Sequence, residues 1–260
     1  MNKPVFFLDA GQSPWTTNPP LLVEKGQHQI YWIGMPDEDA FRCNTYLIVD
    51  GDEALLIDPG SILHYEYVLQ RVGNIIAPSK IKGMVLCHQD PDVASSMPAW
   101  LKAFPEMQVI SSGRTNVLLP HYGASNYAFY DIVLHPIYTF ASGASIRFTE
   151  APFLHFPGAF TSFDVETGVL FSGDIWAALD TDFTSVVRDF DAHALKMDLF
   201  HLDYMASNIA TKGFSQRIKH LPINAIFPQH GALIPGEFVN QAIHYLENVS
   251  CGLDLIYPSY

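Results

Sequence analysis

The sequence predicts a mixed α/β fold, an αββα sandwich in which two packed sheets carry helices on their outer faces. Three observations lead there. Apolar runs of β type come in two batches, and each batch is followed by helical segments. Several of these runs end in a loop that bears histidine or aspartate. Of 260 residues, 48% are hydrophobic and 16% charged, a globular composition long enough to bury a substantial core. There is no repeat, low-complexity tract or linker, so residues 1–260 read as a single domain.

The first ordered segment is expected at "IYWIG" (30–34). "CNTYLIV" (43–49) and "EALLID" (53–58) follow as strands, and the Asp-Gly of "DGD" between them is a hairpin signal. "PGS" stops the second strand. "ILHYEYVLQRV" (62–72) spaces its apolar residues as a helix does. "IKGMVLCH" (81–88) is a short apolar strand. "SSMPAWLKAF" (95–104) reads as a helix with serine near its start and proline in its first turn, and "MQVIS" (107–111) as a strand. From about 132 to 173 the chain is β-rich, through "SIRFT", "APFLHF", "SFDV" and "GVLFSG". Residues 189–220 turn helical, "NAIFP" returns to strand, and "GEFVNQAIHYLENV" closes the chain as a helix.

A formal net charge of −13 argues against nucleic acid or an anionic membrane as partner, since both want clustered Lys and Arg. The start, "MNKPVFFLDAG", has too short an apolar run for a signal peptide, and no stretch is long enough to span a bilayer. Cys43, Cys87 and Cys251 are odd in number and never form a CxxC pair. They read as structural thiols in a reducing compartment, and the expected location is cytoplasmic.

Four loops after short apolar runs carry possible metal ligands: "LCHQDPDVA" (His88, Asp90, Asp92), "FLHFPGAF" (His155), "LFSGDIW" (Asp174) and "IFPQHGAL" (His230). Loops at strand ends are where a rigid sheet aims side chains at one point. In the first loop, ligands at i, i+2 and i+4 share a face of an extended segment, stiffened by Pro91. Three imidazoles and three carboxylates exceed the need of one tetrahedral site and suit two metals sharing a carboxylate. Histidines and aspartates at loop ends also cap helices or satisfy backbone donors. That plainer role fits His155 or His230 taken alone, but three ligand types within five residues do not read so simply.

From "CNTYLIVDGDEALLIDPGS" onward the chain resembles metallo-β-lactamase-fold proteins over nearly its whole length. Where that superfamily has HxHxDH, this loop has HxDxDV, with Asp90 in place of the second histidine and Val93 in place of the last. This resembles the flavodiiron branch, with HxExD, one later His, a bridging Asp and a final His. "FSGD" and "PQHG" match the loops of that branch, as do the separations of 67 residues (88 to 155), 19 (155 to 174) and 56 (174 to 230). By position, the resemblance implies one metal held by His88, Asp90, His155 and Asp174. The second is held by Asp92, Asp174 and His230, with Asp174 bridging. Asp90 in place of glutamate is a departure that shortens the side chain by a methylene. Carboxylates in place of imidazoles favour harder ions and a ferric state, so two iron ions in a non-haem di-iron centre are expected, although zinc is a competitor on affinity.

The sequence ends about 30 residues after His230 and contains no phosphate-binding loop, so neither a flavodoxin domain nor bound FMN is expected. That narrows the resemblance to the stand-alone oxygen-binding di-iron proteins (ODP). It implies a sensor that holds O2 as a peroxo adduct and reports to chemotaxis receptors and their histidine kinase. Two alternatives stand beside it. One is an O2 or NO reductase component fed by a separate flavoprotein or rubredoxin. The other is a binuclear zinc hydrolase using metal-bound hydroxide. A homodimer is a further partner expectation.

Other residues read more plainly. His28, His64, His121, His135, His193, His201, His220 and His244 lack ligand-like pairing and default to surface or satisfied core positions. His121 or Tyr122 of "LPHYG" is a candidate for the site mouth. Tyr31, Trp32, Trp100 and Trp176 read as core aromatics. Asn44 and Asp58 are expected to make supporting hydrogen bonds.

Overall fold

A strand with consecutive apolar residues needs cover on both faces, and "YLIVD" and "VLFSG" open with such runs and are buried at every position. In the computed structural model, which describes residues 3–9, 18–34, 41–179 and 185–258, both lie inside large sheets. The first sheet holds β1 (Val5–Phe6), β2 (Leu21–Lys25), β3 (His28–Trp32), β4 (Tyr46–Asp50), β5 (Glu53–Ile57), β6 (Ile81–Val85), β7 (Gln108–Ser111) and β8 (Phe129–Asp131), side by side in sequence order. The second holds β9 (Ile137–Thr139), β10 (Ser145–Glu150), β11 (Phe160–Asp164), β12 (Val169–Gly173), β13 (Ala225–Pro228) and β14 (Ile234–Pro235), ordered β14-β13-β12-β11-β10-β9. Pairing is parallel from β5 through β8 and between β12 and β13, and antiparallel elsewhere.

Helices α1 (Tyr65–Gly73), α2 (Pro91–Ala94), α3 (Met97–Ala103) and α4 (Gly113–Asn116) follow strands of the first sheet. Helices α5 (Phe190–Tyr204), α6 (Asn208–Ile218) and α7 (Val239–Asn248) belong with the second. Side-chain alternation sorts the layers. On β4, Tyr46 and Ile48 enter the cluster between the sheets, while Leu47 and Val49 join Val68, Val72 and Trp100 under the helices. On β12 and β13, Val169, Phe171, Ala225 and Phe227 point between the sheets, and Leu170 and Ile226 meet α5, α6 and α7. This is the αββα sandwich that the sequence predicts. Among the described residues no helix is long and apolar enough to cross a membrane.

Two expectations give way. "IYWIG" is not the first ordered segment, because β2 precedes it and pairs antiparallel with β3 across a turn in which Gly26 has φ 66°. The prolines at 19 and 20 and the charged end of "LLVEK" hid that strand. "APFLHF" is not a strand: β10 stops at Glu150, β11 starts at Phe160, and Phe153 between them has φ 67°. A positive φ at a bulky residue breaks the alternating backbone, which makes the segment a loop.

Candidate metal centre

The four ligand-bearing loops meet at one end of the two sheets. His88 lies just past β6, where the Cys87 N–H donates to Asp58 Oδ1 (3.0 Å) and the Cys87 carbonyl accepts from Phe160 N–H (3.2 Å), tying the sheets together. Asp174 directly follows β12, and His230 lies two residues past the parallel neighbour β13. Their flanking glycines have a physical reason. Gly173 and Gly231 have φ 57° and 86°, and a Cβ on them would stand 2.8 Å from Cys87 Sγ and 2.7 Å from Ala178 Cβ. Asn44 clamps the last loop, its side-chain amide donating to the carbonyls of Pro228 and Gly231 (both 2.9 Å). Thus Asn44 and Asp58 both make hydrogen bonds to loops that carry ligands.

The first loop is not extended throughout. Asp90 holds the N-cap position of α2 without a side-chain cap hydrogen bond, and Pro91 opens the first turn, so Asp92 is helical and the expected shared face of 88, 90 and 92 does not form. The break is useful, because it sends the two carboxylates to different clusters. Asp90 Oδ2 lies 3.3 Å from His155 Nε2 and 3.7 Å from His88 Nε2, whereas Asp92 Oδ2 lies 3.1 Å from His230 Nε2. Asp174 stands between the clusters. Its Oδ2 is 3.2 Å from His88 Nε2 and 2.9 Å from His155 Nε2, and its Oδ1 is 3.5 Å from His230 Nε2.

All six candidate ligands therefore converge. They satisfy one another only in part: ion pairs link the imidazoles and carboxylates, yet His88 Nε2, His230 Nε2 and Asp174 Oδ1 are buried and have no well-formed hydrogen bond among the described residues. Buried polar atoms rarely go unpaired, and several of them aimed at one point fit bound cations. Proton affinities agree with such a donor set. Burial opposes charging His88, yet the Asp174 carboxylate overrides it and holds that imidazole well above its ordinary value. His155 is likewise raised to about 9, with burial opposing and hydrogen bonding to Asp174 and Asp90 prevailing. Against the burial cost, the His88 charge and the His155 hydrogen bond hold Asp174 well below the usual carboxylate range.

The inward nitrogen of His230 is set by its other side, where Nδ1–H donates to the Arg42 carbonyl (3.0 Å) and leaves the Nε2 lone pair facing the site. Phe41 lies against the same ring at 4.5 Å between centroids. Phe200 and Tyr204, stacked at 4.6 Å, reach His155 at 6.0 and 5.8 Å and form an aromatic wall. Tyr122 donates to the Gln89 carbonyl (2.6 Å) at the rim, while His121 is exposed. Trp176 is core, with its indole N–H on the Ala242 carbonyl (2.7 Å).

Sequence reasoning missed several contributors. His201 is fully buried, with Nδ1–H on the Met197 carbonyl (2.9 Å) and Nε2 accepting from Trp176 N–H (3.0 Å), so it pins the backbone after Asp174. Burial pushes its pKa down to about 4, keeping it neutral. Cys43 and Gln229 also border the centre, with Cys43 Sγ 3.4 Å and Gln229 Nε2 3.2 Å from Asp92 Oδ2. The stretch "GMPDEDAFR" before Cys43 lies outside the described residues at 35–40.

Comparison with known proteins places this geometry. A family model described as "ODP family beta lactamase" matches residues 41–231. A solved chain described as the peroxy di-iron species of the chemotaxis sensor ODP superposes with a TM-score of 0.81 at 30% identity, over 93% of this chain and 100% of that one. The apo state of the chemotaxis sensor ODP from T. denticola gives 0.79 at 30% identity, over 94% and 99%. Among curated proteins, a nitric oxide reductase of Moorella thermoacetica is 28% identical over 84% of this chain, which spans 60% of that protein's length.

Proposed function

Since the chain belongs to the ODP family of β-lactamase-fold proteins, we propose that it holds a non-haem pair of iron ions, binds O2 there, and passes the state of that site on as an oxygen signal. The observation that carries this reading is the split of Asp174, whose two oxygens face two separate clusters of donors. His88, Asp90, His155 and Asp174 would hold one ion, and Asp92, Asp174 and His230 the other. Three carboxylates among six donors favour a hard, redox-active ion over zinc. Bound ferrous iron supplies the electrons and open coordination positions that O2 binding requires. The chain's own residues do the rest. Phe41 packs its ring against His230, and Phe200 and Tyr204 pack theirs against His155, which gives that side of the site an apolar lining. The Arg42 carbonyl fixes the His230 tautomer, and His201 holds the Asp174 loop.

In the same proposal the output is chemotactic, which the likeness to a chemotaxis sensor supports, and it passes to a receptor and its kinase in the cytoplasm. The likeness to a nitric oxide reductase supports a second reading, a gas-reducing component that takes electrons from a donor protein. One experiment separates them. The chain is loaded anaerobically with ferrous iron, its metals are counted, and a stoichiometric pulse of O2 is admitted while the visible spectrum is recorded. Two irons per chain and an absorption band lasting minutes to hours are the expected result. Rapid loss of colour, with sustained O2 or NO consumption when reduced rubredoxin or a flavoprotein is added, would move the assignment to the reductase. Failure to bind iron in pairs would overturn both.

A further inference from the structure

The two donor clusters are unequal. His88, Asp90, His155 and Asp174 surround the first, whereas only Asp92, His230 and Asp174 Oδ1 are assigned above to the second. Cys43 fills that gap. We propose that its sulfur is a further ligand of the second ion, binding as the thiolate; the inference rests on the two-metal reading above.

The geometry is that of donors arranged around a common point. Cys43 Sγ, Asp92 and His230 place one donor atom each within 4.8 Å of one another. Sulfur to Asp92 Oδ2 is 3.4 Å, and Asp92 Oδ2 to His230 Nε2 is 3.1 Å. With metal–sulfur bonds of about 2.3 Å and metal–oxygen or metal–nitrogen bonds of about 2.1 Å, ligands spread at about 90–110° lie roughly 3.0–3.6 Å apart. Both of these edges fall in that range, while Cys43 Sγ stands 3.9 Å from the other ring nitrogen of His230, Nδ1, so a small turn of the sulfur toward Nε2 completes the set. His230 Nε2, on a fully buried ring, has no hydrogen-bond partner among the described residues and faces the same space.

The backbone holds Cys43 in that place. Cys43 and His230 form an isolated antiparallel bridge, and the next residue donates its N–H to the Gln229 carbonyl (2.5 Å). The sulfur is therefore fixed opposite the histidine across the β4 and β13 loops. Gln229, itself buried, turns its amide N–H groups toward both Cys43 Sγ (3.8 Å) and Asp92 Oδ2 (3.2 Å). A donor shared between two ligand atoms is the outer support that metal ligands use. On coordination the S–H bond breaks, its proton passes to buffer, and a metal–sulfur bond forms with no change in oxidation state. The result is an asymmetric pair, with a nitrogen–oxygen site beside a softer site that includes sulfur.

Anaerobic titration with cobalt(II) tests this in the full chain. Wild type and Cys87→Ser should develop a sulfur-to-cobalt charge-transfer band in the near ultraviolet. Cys43→Ser and Cys43→Ala should lose it, and their weaker-binding cobalt should dissociate at least tenfold more readily. No such band in wild type, or its persistence in Cys43→Ser, overturns the assignment. X-ray absorption of cobalt-loaded wild type answers the same question without a variant: a sulfur neighbour supports the ligand and its absence sinks it. Cobalt counted per chain is read separately. Two ions without sulfur ligation would sink Cys43 alone, whereas fewer than two would sink the two-metal reading whatever the band shows.

Discussion

Two groups of histidine and aspartate bridge the sheets, and they behave in opposite ways. His28 on β3 sits between Asp50 and Asp164, with Nε2 2.7 Å from Asp164 Oδ2 and Nδ1 3.4 Å from Asp50 Oδ1. The carboxylates of this cluster are held from outside as well: Asp164 Oδ1 takes the N–H of Glu166 (2.9 Å), and the Ser142 hydroxyl donates to Asp50. His28 Nδ1, in charge contact with Asp50, is the one buried ring or carboxylate atom of the three left without a hydrogen bond among the described residues. The side chains of His28, Asp50 and Asp164 are 3%, 2% and 0% exposed, whereas Asp90, Asp92 and His155 in the other group are 32%, 29% and 18% exposed. That second group leaves buried nitrogens and a carboxylate oxygen unpaired at its centre. The same residue types thus make a clasp in one place and an open set of donors in the other. Solvent access and the number of unpaired donor atoms aimed at one point, more than composition, distinguish the structural cluster from the ligand site.

The sharpest way to break that contrast is to remove the central residue of each group. Asp174→Asn should lower metal content from two ions per chain to one or none. Affinity should fall by more than the roughly 10–100-fold that loss of an outer partner costs. The metal-free chain should stay folded but lose some stability in urea, because Asp174 Oδ2 gives up its charge pairing with His88 and His155. His28→Gln should do the reverse. It leaves two buried carboxylates without their cation, a change that costs about 3–5 kcal/mol in a buried pair, while metal content stays at two. If His28→Gln strips metal, or Asp174→Asn unfolds the metal-free chain, the division is wrong.

Acidity sharpens the same comparison. Burial works against protonating His28, but hydrogen bonding and charge from Asp164, with help from Asp50, leave its folded pKa raised above 6.5. A raised histidine stabilises the fold fully below its unfolded value, and the contribution fades as pH climbs from there through the folded pKa. Wild type minus His28→Gln should therefore show its largest stability difference below about pH 6.5, shrinking at higher pH. A difference that grows with pH would mean that His28 is held neutral in the clasp.

A smaller effect is expected behind the bridging carboxylate. His201→Phe deletes the acceptor of Trp176 N–H and leaves that donor buried, at a cost of about 1–3 kcal/mol. If His201 positions Asp174, metal affinity should fall as well, by roughly 10-fold. Lost stability with unchanged affinity would make it a packing residue only.

Much of this was legible in the chain. Strand-length apolar runs gave both sheets because both faces of each are covered, and loops after those runs carried all six candidate ligands to one place. What sequence could not reveal depended on distant partners. Cys43 looked like an ordinary buried thiol until the backbone bridge to His230 set it beside Asp92. His201 has Asp203 two residues on, the spacing of His88 and Asp90, but it lies within a helix and not in a loop at a strand end, and its role comes from the fold of α5 against the Asp174 loop. The extended reading of "HQDPD" failed for a local reason that was visible: proline after an aspartate is also how a helix begins.

Tyr122 offers the mildest test of whether the open group has a stiff frame. Its hydroxyl donates to the carbonyl of Gln89, between His88 and Asp90, from a half-buried position at the rim. Tyr122→Phe keeps the ring and removes one hydrogen bond, so stability should fall by about 0.5–1.5 kcal/mol. Metal affinity should barely change, because His88 and Asp90 are also held by the strand end before them and by α2 after them. Equilibrium metal competition alongside urea unfolding of the same variant separates the two effects. A loss of affinity beyond about tenfold with little loss of stability would show that the loop between the ligands is soft, and that its hold on the first ion depends on this one rim contact.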